Sequence, residues 1–90
     1  IGAGLAGYGA AAALCSRGYS VTMLEARAEG FGGASGNPAG IFTPYIARER
    51  TRTTDLYLTA FLFSLDRIRH FERTAGTELL HRTGATQAIY

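Results

Sequence analysis

The chain has 90 residues, 47% of them apolar and 18% charged, with a net charge of +2. Those proportions suit a folded soluble chain rather than a disordered one, and the near-neutral balance does not indicate a dedicated nucleic-acid arm. A chain this short buries only about 60% of the surface its unfolded form exposes. It cannot enclose both a dinucleotide cofactor and a substrate cavity, and it reads as a piece of a larger protein.

The single cysteine, Cys15, excludes a disulfide framework and any multi-cysteine metal site. It fits a reducing, cytoplasmic compartment. His70 and His81 stand far apart in the chain, so no metal ligation is expected.

The first residue, Ile1, directly precedes a glycine and reads as the tail of a truncated β-strand. Leu5 to Arg17 is a run of small residues with good helix propensity beyond Gly9. It is shorter than the roughly 20 apolar residues of a membrane span, and no membrane partner is expected. Gly18 stands where a left-handed C-terminal cap belongs. Tyr19 to Glu25, built around Val21, Met23 and Leu24, reads as a short buried strand. Ile1 to Glu25 is then a right-handed βαβ unit, with Ala11 and Leu14 facing the sheet and Cys15 packed or half-buried.

Residues 26–44 carry five glycines and both prolines and read as a long functional loop. Arg48 to Arg52 is a charged connector, either solvated or in contact with RNA phosphates. A helix is expected from about Asp55 to Arg73, capped by Thr53 or Thr54 and closed by Gly76. Leu58, Phe61, Leu62, Leu65 and Ile68 recur at helical spacing on it, and Phe61, Phe63 and Phe71 read as core. Leu79 to His81 and Ala85 to Tyr90 look like two short strands or one bent strand. His81 either borders a substrate cavity or lies on the surface.

Gly2, Gly4 and Gly7 form G-x-G-x-x-G. The pattern gains weight from what surrounds it: a strand end before, a helix after, and an acid, Glu25, about 20 residues on. Gly2 permits the tight turn, Gly4 lets a pyrophosphate approach the backbone, and Gly7 lets the helix lie close. The Leu5 and Ala6 amides would face the phosphates. Glu25 would accept the ribose hydroxyls and would repel a 2′-phosphate. Glu25 followed by a short loop and the Gly32-Gly33 pair resembles the extended signature of two-dinucleotide-fold flavoproteins, which implies FAD rather than NAD. Arg27 either flanks the ribose and adenine or is a surface charge.

The segment Gly33-Ala-Ser-Gly-Asn-Pro-Ala-Gly40, followed by Ile41, Phe42 and Pro44, resembles the flavin loop of the D-amino-acid-oxidase (DAO) family. Within that family it is most similar to the flavin domains of bifunctional tRNA wobble-uridine biosynthesis enzymes. The likeness continues in the aromatic helix around Tyr57, Phe61 and Phe63 and in Leu79 to Gln87.

The resemblance implies an α/β architecture, in which a Rossmann-like FAD-binding βαβ unit with a truncated first strand runs into the start of an antiparallel substrate domain. Residues 1–76 would belong to the FAD-binding domain and 77–90 to the substrate domain. The residues implied in binding FAD are Gly2, Gly4, Leu5, Ala6, Gly7, Glu25, Ala26, Arg27, Gly33, Ala34, Ser35, Asn37 and Gly40. No catalytic residue is assigned, because the flavin carries the chemistry.

The implied reaction is oxidation of a secondary amine. A hydride leaves the C–H next to nitrogen and the imine hydrolyses. On carboxymethylaminomethyl-uridine in tRNA this would release the carboxymethyl group as glyoxylate, and an upstream methyltransferase domain using S-adenosylmethionine would then methylate the amine. Two alternatives stay open from the residues alone. One is an oxidase or dehydrogenase of free amino acids, with the same fold. The other is a non-catalytic module that keeps FAD or only its fold, for structure or for RNA binding.

Overall fold

A computed structural model describes residues 1–86 and 88. The chain divides into two compact units, Ile1–Gly40 and Ile41–Tyr90. The first holds helix α1, Leu5–Cys15, and a 3₁₀ turn, Ala34–Gly36; the second holds helix α2, Arg52–Ala75.

The expected α/β architecture is not what forms. Among the described residues there are helices and no β-strand, so neither the βαβ unit nor the antiparallel start is present. A strand exists only as part of a ladder of hydrogen bonds to a neighbour. Residues 19–25 run outside any helix, and Val21 and Met23 are half-buried in alternation. Their backbone link to the segment before α1 is one bond, from Gly2 N–H to Leu24 O at 2.7 Å. One bond is not a ladder. Ala11 is half-buried and Leu14 is 43% exposed, so neither faces a sheet. Cys15 is exposed rather than packed.

The punctuation of α1 follows the sequence more closely. Gly18 takes φ 84°. Its N–H donates to Cys15 O at 2.9 Å and the Tyr19 N–H donates to Leu14 O at 3.2 Å. This is the paired closure that a left-handed glycine gives a helix end.

Helix α2 starts at Arg52, earlier than the composition suggested, because Thr51 rather than Thr53 or Thr54 is the cap. Thr51 Oγ1 accepts the Thr54 N–H at 3.2 Å, and Thr54 Oγ1 accepts the Thr51 N–H at 2.7 Å. Two otherwise orphaned donors are thus satisfied reciprocally. Asp55 lies in the first turn, where the dipole favours it, and pairs with Arg50 at 2.7 Å. Gly76, at φ 65°, closes the helix with its N–H on Glu72 O at 2.9 Å.

Phe61, Leu65 and Ile68 form the half-buried stripe of α2, whereas Leu58 and Leu62 are exposed. Phe63 and Phe71 are exposed too and are not core. Arg67 lies over the Phe71 ring, 5.2 Å from its centre.

Residues 79 and 80 bond to a side chain instead of a neighbouring strand. Glu72 Oε1 accepts the N–H groups of Leu79 and Leu80, both at 3.0 Å, and its Oε2 accepts from Arg82 at 2.9 Å. Those amide bonds, from Leu79 first, hold the Glu72 carboxyl below the usual carboxylate range. Gln87, Ile89 and Tyr90, part of the expected last strand, lie outside the described residues.

No helix among the described residues is long and apolar enough to cross a membrane. Ala3 is the one buried apolar residue among them, and it marks where the first unit is tightest.

Candidate dinucleotide site

Ala3 sits at the centre of a turn gripped from two sides. Gly2, at φ 92°, adopts a backbone that side-chain-bearing residues avoid. The Ala3 N–H donates to Glu25 Oε2 at 2.6 Å, and the Ala3 carbonyl accepts the Phe31 N–H at 2.8 Å. Helix α1 begins directly on this turn. A Cβ on Gly7 would land on the Gly2 carbonyl oxygen, so only glycine lets the helix start here.

The first turn of α1 presents backbone donors. Gly4, the residue before it, offers no side-chain cap, and no acid occupies the first turn. Intrahelical bonding begins with the Tyr8 N–H on Gly4 O at 3.0 Å, which leaves the Ala6 and Gly7 amides without a helix acceptor. The Leu5 N–H donates to Ser35 Oγ at 3.0 Å, from thirty residues along the chain. Ser35 lies in the 3₁₀ turn that follows Gly33. Having accepted from Leu5, its hydroxyl can still donate its own proton. A Cβ on Gly4 would come within 3.1 Å of Ser35 Oγ and close the gap between them. Free amides, a positive helix end and a spare hydroxyl donor make this end of α1 suited to an anion.

Glu25 supplies the opposite charge beside it. Its carboxyl is held below the usual carboxylate range, first by the Ala3 N–H, then by the Arg27 N–H at 3.0 Å, with the Ala26 amide and the Arg27 charge adding to the effect. A carboxylate has about four acceptor positions. Glu25 is exposed and keeps acceptor capacity for hydroxyl donors. The Arg27 side chain folds back over the glycine pair: a Cβ on Gly33 would meet its Nη1 at 2.9 Å, and one on Gly32 its Cδ at 2.7 Å.

Most of the expected cofactor residues therefore converge. Gly2, Gly4, Leu5, Ala6 and Gly7 form the turn and the start of α1. Glu25, Ala26 and Arg27 meet them through Ala3. Ala34 and Ser35 meet them through Leu5, with Gly33 beside Arg27. Asn37 and Gly40 are not drawn in: the Asn37 N–H closes the 3₁₀ turn on Ala34 O at 3.2 Å, and Gly40 faces open space.

Two residues of this unit escaped the sequence reading. The Tyr8 and Phe31 rings stack 4.7 Å apart at 4°, and Phe31 takes a left-handed φ of 59° without being glycine. The available signal was an aromatic residue between Gly30 and Gly32 within a loop otherwise made of small residues.

The second unit has an open cleft of about 640 Å³. The Phe42–Phe61 pair lines it, stacked at 4.6 Å, with Tyr45 and Tyr57 at 5.4 Å and the hydroxyls of Ser64 and Thr86. His81 is exposed, 3.6 Å from Glu78. Among the described residues no group of His, Cys, Asp or Glu could hold a metal.

Comparison with known proteins gives these features a lineage. The family described as FAD dependent oxidoreductase, DAO, matches residues 1–90. The tRNA 5-methylaminomethyl-2-thiouridine biosynthesis bifunctional protein MnmC of Burkholderia thailandensis is 46% identical over 77 residues, covering 86% of this chain and 12% of the relative. The protein of the same name from Thiobacillus denitrificans is 51% identical over 65 residues, 72% of this chain and 11% of the relative. The one from Burkholderia pseudomallei is 47% identical over 73 residues, 81% and 11% respectively. The chain thus spans only 11–12% of the length of these relatives. No solved structure matches it. Matched from its first residue to its last, the chain belongs to the DAO family of FAD-dependent oxidoreductases.

Proposed function

We propose that the end of α1 in the first unit holds the adenine dinucleotide part of FAD, and that the encoded protein oxidises a secondary amine. The substrate we favour is carboxymethylaminomethyl-uridine at the tRNA wobble position, from which the carboxymethyl group would be removed. The observation that carries the cofactor reading is the convergence of the Leu5, Ala6 and Gly7 amides, Ser35 and Glu25 on one turn.

The residues present fit the group. The Ala6 and Gly7 amides, together with the Ser35 hydroxyl, would take the pyrophosphate oxygens at the positive end of the helix. Gly4 keeps the backbone open to them. Glu25 would accept hydroxyl donors of the ribose while still holding Ala3. Arg27, beside Gly33, would offset the phosphate charge. Ala34, Asn37 and Gly40 belong to a small-residue segment that would leave room for the flavin. When bound, FAD supplies the two-electron acceptor for oxidation of the C–H beside the amine nitrogen.

The substrate reading rests on the relatives' names, which place them in tRNA 5-methylaminomethyl-2-thiouridine biosynthesis. Those relatives are called bifunctional, and the methyltransferase activity expected beside the oxidation would reside outside these 90 residues. The deciding experiment uses the protein as encoded, purified and scanned for flavin absorbance. Bound FAD that is bleached anaerobically by tRNA carrying carboxymethylaminomethyl-uridine, and not by free glycine or D-amino acids, is the expected result. Bleaching by the amino acids alone would move the assignment to an amino-acid oxidase or dehydrogenase. Absence of flavin would overturn the cofactor reading itself.

A further inference from the structure

Phe31 meets three parts of the first unit: the Gly2–Gly4 turn, α1 and the 3₁₀ turn. Its N–H donates to the Ala3 carbonyl at 2.8 Å, inside the Gly2–Gly4 turn. Its ring stacks face to face on Tyr8 of α1 at 4.7 Å. Its carbonyl oxygen lies where a Cβ on Gly36 would be, so the turn carrying Ser35 packs directly on it. The neighbouring Gly30 is pressed against the Tyr8 hydroxyl, which a Cβ there would approach to 2.9 Å.

Phe31 makes these contacts from a left-handed backbone, φ 59°, which is costly for a bulky residue. Such a conformation persists only where its surroundings impose it, and it points to a role.

We propose that Phe31 is a positioning residue: through its stack on Tyr8 and its bond to Ala3 it latches loop 26–36 onto α1, and so holds Ser35 at the Leu5 amide before any ligand arrives. The phosphate-facing donors are then set in advance, and binding does not have to order them. The effect on cofactor affinity rests on the FAD reading above, whereas the latch itself does not.

The test uses the encoded protein in cofactor-free form, comparing Phe31→Ala, Tyr8→Ala and Phe31→Tyr with the parent by residue-resolved amide exchange and by FAD titration. Phe31→Ala and Tyr8→Ala are each expected to speed exchange at the position-31 amide and at Leu5 at least roughly fivefold, and to raise the FAD Kd by roughly five- to tenfold. Exchange in the last turn of α1, at Leu14 and Cys15, should stay as it was. Phe31→Tyr keeps the ring and should restore both values.

Unchanged exchange at the position-31 amide and at Leu5 would overturn the proposal. So would acceleration spread evenly along α1, since that reports general destabilisation and not a latch. If Phe31→Ala does not fold, the Tyr8→Ala result decides alone. If the parent protein takes up no FAD, the dinucleotide reading fails while the exchange data still judge the latch.

Discussion

Glu25 Oε2 accepts the Ala3 N–H at 2.6 Å, joining positions twenty-two residues apart. The carboxylate expected to meet the cofactor's sugar is therefore also a clamp on the turn that faces its phosphates. One side chain links the two halves of the site.

Replacing Glu25 with Gln keeps the shape but removes the charge and leaves one carbonyl acceptor where two oxygens stood. FAD affinity of the encoded protein should fall by roughly tenfold or more, the scale of a charge-assisted bond. Flavin fluorescence titration measures it. Equal affinities would show that Glu25 neither holds the sugar nor sets the turn.

Two glycines of the same helix should respond oppositely to alanine. Gly7→Ala drives a Cβ into the Gly2 carbonyl, so α1 must move off the turn, and both FAD binding and stability should decline. Gly9 has open space around it and lies within the helix, where alanine is better by about 0.5–1 kcal/mol. Gly9→Ala should raise the denaturant midpoint and leave FAD affinity unchanged. Urea melts of both variants of the encoded protein, read alongside FAD titrations, make the comparison.

Thr51 and Thr53 separate the cap observed from the one the sequence suggested. Thr51→Ala removes one side of the reciprocal pair with Thr54 and should cost about 1 kcal/mol. Thr53→Ala, on an exposed helical position, should stay within about 0.5 kcal/mol of the parent. Equal losses from the two substitutions would place the helix start elsewhere.

The Glu72 tether should be sensitive to acid. Its carboxyl titrates below the usual carboxylate range when folded, so protons favour the unfolded state in that window. The stabilisation is complete above the ordinary carboxylate pKa and is lost as pH falls through the lowered value. Amide protection factors of Leu79 and Leu80, followed on acidification, should fall in that window. In Glu72→Gln they should start lower and show no such step.

The Gly2-to-Gly7 spacing and the helix-closing glycines were legible in the sequence because each answers a local demand. Gly7 is needed where the helix touches the turn, and Gly18 and Gly76 are left-handed helix ends. Such requirements involve neighbouring residues and leave a mark in residue type. The Thr51 cap was misplaced by a few residues because several threonines lie together and each could cap; the reciprocal bond with Thr54 chose between them.

Strands were expected from apolar, β-rich segments at 19–25, 79–81 and 85–90, yet residue type alone cannot form a sheet. A strand needs a partner's backbone, and here the Leu24 carbonyl finds one amide while the Leu79 and Leu80 amides find a carboxylate. The Tyr8–Phe31 stack and the Ser35–Leu5 bond were likewise decided only in three dimensions, because each depends on how the loop folds back over twenty or more residues. Sequence set the local geometry and the chemistry on offer; long-range contact decided which donors met which acceptors, since that pairing depends on distances that residue order does not contain.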